Sequence, residues 1–124
     1  MSTEFALPGA DLPVVDENRL LNEFGGDASI LAELRDLFME HVPPQFAAIE
    51  DAVAAGDADT LSKEAHSLKG ACSTYGAPRL SLICKSAELA ARAGDVEIVR
   101  RHMDQLREEY EKVVEAISSV GAAG

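Results

Sequence analysis

The 124-residue chain is long enough to bury one hydrophobic core and too short for two. Its 22 acidic side chains against 11 basic ones leave a formal net charge of -11, which repels a phosphate backbone and excludes nucleic acid as an expected partner. Aromatic residues make up 5% of the chain, tryptophan is absent, and alanine, leucine and glutamate are plentiful, a composition that favours helices.

Residues 1–13 mix Ser, Thr, Gly and two prolines without a period and read as a mobile N-terminal tail. They lack the basic region and apolar core of a signal peptide, and no apolar run approaches the roughly 20 residues needed to span a bilayer. A cytoplasmic monomer with no membrane association is expected. Asp16 caps a short helix over residues 17–24, with Leu20, Leu21 and Phe24 as its apolar contacts, and Gly25-Gly26 ends it. Asp27 then caps a stronger helix in which Ile30, Leu31, Leu34, Leu37, Phe38 and Val42 recur at helical spacing. Pro43-Pro44 interrupts it and the period resumes through Phe46, Ile49, Ala52 and Val53, so one long kinked helix is favoured over two abutting ones.

Asp57 or Asp59 starts the next helix, which runs to about Tyr75 and stops at Gly76. At about 100° per residue, Leu61, Ala65, Leu68, Cys72 and Tyr75 fall within about 80° of one another and form its core stripe. His66 lies roughly 140° from the centre of that stripe, in a polar patch with Asp59, Ser62, Lys63, Lys69, Gly70 and Ser73. It therefore faces solvent. Lys69, three residues on, can set an ammonium beside whatever the ring carries. Gly70 costs the helix about 1 kcal/mol against alanine, and its missing side chain lets another surface approach the imidazole.

Pro78 fits the first turn of a helix with a stripe of Leu80, Ile83, Cys84, Ala87 and Ala91. Leu82 and Leu89 lie on roughly the opposite face. Gly94 ends it, and Asp95 caps a last helix in which Val96, Val99, Met103, Leu106, Tyr110, Val113, Val114 and Ile117 keep one period. Residues 119–124 are expected to fray. Cys72 and Cys84 fall on core stripes and read as buried free thiols. Short connections make consecutive long helices antiparallel, so the fold expected of residues 14–118 is all-α: an up-down-up-down four-helix bundle with a short additional N-terminal helix.

The run Ala65-His66-Ser67-Leu68-Lys69-Gly70, followed by Tyr75-Gly76-Ala77, Leu80, Cys84, Glu88 and Ala91-Arg92, resembles the histidine-containing phosphotransfer (HPt) domain of bacterial multistep phosphorelays. Phe38, the Ala54-Ala55-Gly56-Asp57 turn and Leu61 fit the same pattern upstream. Two positions depart from it: Ala71-Cys72 replaces a small Ser-Ala or Ser-Ser pair, and Ala87 replaces a usual leucine. The resemblance implies that His66 accepts a phosphoryl group from an aspartate on the receiver domain of a hybrid sensor kinase and passes it to an aspartate on a response regulator. Lys69 would offset the phosphoryl charge and Gly70 would admit the receiver. On the following helix Lys85, Glu88 and Arg92 would reach the histidine face. There Glu88 could accept from the other ring nitrogen or pair with Lys69, and Arg92 could assist the phosphate. Lys63 and Ser73 complete the supporting set. No nucleotide, metal or other cofactor site is expected on this chain, magnesium being expected on the partner receiver.

Three other readings compete. A helical module that docks or sequesters a receiver without carrying phosphate would need no histidine. A carboxylate-bridged metal enzyme needs Glu-x-x-His pairs, which the sequence lacks. A chemotaxis-type kinase phosphotransfer domain has a similar histidine context, but the short stretch after the last helix favours a stand-alone relay protein or a domain of a hybrid kinase. His41 and His102 have no Lys-Gly context and read as ordinary surface residues.

Overall fold

The computed structural model describes residues 5, 7–8, 12–23 and 28–119. These residues form six helices and no strand: α1 (Glu17–Glu23), α2 (Ala28–Ala55), α3 (Ala58–Thr74), α4 (Pro78–Arg92), α5 (Val96–Arg101) and α6 (Met103–Ser119). The expected Asp27 cap, the Gly25-Gly26 stop and the Phe24 contact lie outside the described residues, as do residues 120–124.

The starts of α1, α3 and α5 each follow from a side-chain cap. Asp16 Oδ1 accepts the Arg19 amide at 3.1 Å, Asp57 accepts the Thr60 amide at 3.1 Å and the Thr60 hydroxyl at 2.7 Å, and Asp95 accepts the Ile98 amide at 3.1 Å. Asp57, rather than Asp59, is thus the cap of α3. Pro78 sits in the first turn of α4, where its missing amide removes nothing. Helix α2 runs through Pro43 and Pro44 as one element.

Core contacts give the helix directions. Phe38 meets Tyr75 edge-on at 5.2 Å between ring centroids, and the chain turns back at Gly56, so α2 and α3 are antiparallel. Phe46 stacks on Tyr110 at 4.1 Å, and Arg107 reaches Glu50 at 2.6 Å, so α2 and α6 are antiparallel too. His66 opposite Glu88 fixes the same sense for α3 and α4. The shared interior contains Leu20, Phe38, Ile49, Leu61, Leu68, Leu80, Ile83, Leu106 and Ile117, each at most 1% exposed. Burying a side chain of this size is worth about 1.5–3 kcal/mol. Cys72 and Cys84 are free and buried, and the contact with Cys72, with burial added, pushes the Cys84 thiol up.

Gly76 is required where it stands. Its φ is +68°, a conformation that residues with a side chain rarely adopt, although an added Cβ would itself make only ordinary contact, 3.4 Å from the Asp16 carbonyl and 3.5 Å from Leu20. Through this close approach the Asp16 amide reaches the Gly76 carbonyl at 2.7 Å, and α1 is seated on the turn between α3 and α4.

Two readings of the sequence change. The last periodic stretch is two helices, broken at His102, whose ring Nδ1 donates to the Ile98 carbonyl at 2.8 Å while its backbone amide shifts to Val99. The side chain takes the carbonyl that a continuing helix would have used. His102 is therefore no ordinary surface residue, and Phe5 stacks on its ring at 4.5 Å. In the N-terminal segment the Leu12 carbonyl also accepts from Arg79 at 3.4 Å. Finally, Ile30 and Leu37, counted among the apolar period of α2, are 37% and 46% exposed.

Candidate functional site

The core stripe of α3 sets the aim of His66. Leu61, Ala65 and Leu68 are fully buried, and the imidazole, on the other side of the helix, keeps 62% of its side-chain surface in solvent. Across from it, α4 supplies Glu88, only 2% exposed. Cys84 and Ala91, both core residues, lie about 40° and 60° from Glu88 on the helical wheel, and they draw its carboxylate inward.

Three nitrogen groups converge on that carboxylate. His66 Nδ1 lies 2.9 Å from Oε2, Lys69 Nζ donates to Oε1 at 2.7 Å, and Arg92 Nη2 lies 2.6 Å from Oε2. Burial pushes the Glu88 carboxyl up, but the hydrogen bonds from Lys69 and His66 and the charges of Lys69 and Arg92 outweigh it, so the group is held below its ordinary value of 4.5. At neutral pH Glu88 is ionised and can only accept. The ring proton therefore belongs on Nδ1, and Nε2 is left with its lone pair. Nε2 has no hydrogen-bond partner among the described residues.

The remaining sequence candidates divide into those at this cluster and those outside it. Lys69, at 29% side-chain exposure, is tied to Glu88. Gly70 is exposed, its φ is negative, and an added Cβ would meet nothing within 4 Å, so neither backbone conformation nor packing demands a glycine there. Arg92 keeps 60% of its side chain exposed while it holds Glu88. Ser73 turns its hydroxyl back to the Lys69 carbonyl at 3.3 Å. Lys63 and Lys85 are exposed and make no ion pair among the described residues. No group of three or more His, Cys, Asp or Glu side chains among the described residues could hold a metal ion.

The model of the Hpt domain matches residues 33–116 of this chain. The chain belongs to the Hpt family. The match begins in the first half of α2 and ends within α6, so it encloses His66, Lys69, Gly70 and Glu88. No curated relative and no solved structure matches the chain. Hpt domains are phosphocarriers of two-component signalling that work with receiver domains, and this one is an all-helical bundle. No helix among its described residues is long and apolar enough to cross a membrane.

Proposed function

We propose that His66 is the phosphoacceptor of this Hpt domain, taking a phosphoryl group from a phosphoaspartate on the receiver of a hybrid sensor kinase and delivering it to an aspartate on a response regulator. The observation that carries this reading is the solvent-facing imidazole whose Nδ1 is held by buried Glu88 and whose Nε2 is unengaged.

In the first transfer the Nε2 lone pair attacks phosphorus, the P–O bond to the receiver aspartate breaks, and the carboxylate leaves with the electron pair. The ring then carries positive charge, which Glu88 offsets through the Nδ1 proton it already accepts. In the second transfer a carboxylate oxygen of the next receiver attacks phosphorus, the P–N bond breaks, and its electrons return to Nε2. A neutral imidazole nitrogen serves as both nucleophile and leaving group. Lys69 and Arg92, already at the ring's edge, supply positive charge toward the phosphoryl oxygens, and Gly70 leaves room for the incoming surface. Magnesium belongs to the receiver in this scheme, in keeping with a transfer that depends on positioning and electrostatics.

Incubation with a radiolabelled, phosphorylated receiver tests it. Label that is acid-labile, maps to His66 and is absent from His66→Gln is expected, with helical circular dichroism unchanged in the variant. Persistent labelling of His66→Gln overturns the assignment.

A further inference from the structure

Lys63 and Lys85 are the two basic side chains, among the described residues, without an ion-pair partner; every arginine and the other lysines contact a carboxylate. Both are exposed, and both stand one turn from the site: Lys63 three residues before His66 on α3, Lys85 three residues before Glu88 on α4. On the α3 wheel Lys63 and Lys69 lie about 60° to either side of His66. On α4, Lys85 and Arg92 share one outward row with Leu89, itself 51% exposed. Cations therefore surround the ring. Facing them, Glu88 is buried and occupied by His66, Lys69 and Arg92. The next carboxylate on the histidine side of α3 is Asp59, about 10 Å away along the helix. Asp57, held low chiefly by the Thr60 hydroxyl, feels Lys63 only as a lesser influence.

This local surplus of positive charge sits on a chain of net charge -11, which on its own would repel an anionic partner. An aspartyl phosphate is an anion, and so is the aspartate it leaves behind. We infer that Lys63 and Lys85 form an electrostatic guide that draws the phosphoaspartate site of a receiver domain onto the His66 face. The inference rests on the transfer reading above and adds to it two positioning residues that act on encounter rather than on the reacting atoms.

The experiment compares the second-order rate of labelling by a phosphorylated receiver in the parent protein, in the double variant Lys63→Glu/Lys85→Glu, and in Arg101→Glu/Lys112→Glu, which changes the net charge equally on α5 and α6. At low salt the first variant is expected to lose about 10-fold or more, within the range electrostatic steering supplies, and the second much less. The parent rate should fall with ionic strength, and parent and first variant should converge near 1 M salt, where the screening length is about 3 Å. Equal rates in parent and first variant, with label present, or equal losses in the two variants, overturn the guide and leave the phosphoacceptor standing. Absence of label on the parent overturns both.

Discussion

Two glutamates are buried among the described residues, and they are held in different ways. Glu109 on α6, 6% exposed, is gripped by the Arg79 guanidinium, whose Nη2 lies 2.7 Å and Nε 3.1–3.3 Å from its oxygens; the arginine side chain is itself only 15% exposed. Glu88 is held by His66 and Arg92, both more than half exposed, and by Lys69. One pair is closed off from water on both sides. The other is a buried anion with partners that reach it from the surface, and only this one has a ring atom left over for chemistry. Glu109 is thus braced by an enclosed guanidinium, with exposed Lys112 standing off at 3.8 Å, whereas Glu88 is reached at 2.6–2.9 Å by the accessible side chains of His66 and Arg92.

The largest expected effect is on the brace. Glu109→Ala removes the carboxylate of a buried ion pair and should cost about 3 kcal/mol, since breaking one side of a buried pair is far more damaging than losing a surface bridge. Chemical denaturation should show this, while phosphoryl transfer at a temperature where the variant is folded stays at the parent rate. A stability loss under 1 kcal/mol would erase the contrast.

Glu88→Ala should invert the pattern. Its former partners can turn to water, so stability should fall by about 1 kcal/mol, whereas the ring loses the acceptor that fixes its tautomer, and transfer should slow by about 10- to 100-fold, as when an outer-shell partner of a functional histidine is removed. Equal transfer rates would remove Glu88 from the site.

The two carboxylates should respond to acid in the same direction. Both are held below the ordinary 4.5: Glu109 chiefly by the Arg79 hydrogen bonds, Glu88 by hydrogen bonds and charges that overcome its burial. A folded-state value below the unfolded one stabilises the fold above the unfolded value, and that contribution is lost as pH falls through the folded one. Stability of the parent should therefore drop below about pH 4.5. Glu109→Gln should flatten this drop measurably, and Glu88→Gln should also flatten it. If neither does, the bridges contribute nothing in solution.

Both glutamates left a trace in the sequence, and the trace was incomplete. Each is flanked by core residues one turn away on either side, Cys84 and Ala91 for Glu88, Leu106 and Val113 for Glu109, so a wheel places both at the edge of the buried stripe. A wheel of one helix says nothing about which cation arrives from the next, and that decides whether the glutamate is solvated or enclosed. The exposure of His66 was legible because the stripe of α3 is unbroken and fixes the opposite face. The break at His102 was not, because it depends on a ring nitrogen that competes for a carbonyl of its own helix and on Phe5, far away in sequence. The outward turn of Leu37 escaped for a similar reason: an apolar period states what could be buried, and the positions of α3 and α6 select what is.

The smallest expected effect separates fold from function at a single atom. Gly70 has open space where a Cβ would sit and a helical backbone that alanine prefers, so Gly70→Ala should stabilise the domain by about 0.5–1 kcal/mol. If the fold alone had shaped this position, alanine would be the better residue there. On the transfer reading proposed above, the added methyl group would stand on the surface a receiver covers and hold the reacting phosphorus away from Nε2. Thermal unfolding should therefore move up while the receiver-dependent rate of labelling moves down. A variant that gains stability and transfers as fast as the parent would mean that the gap beside His66 has no bearing on how closely the two proteins meet.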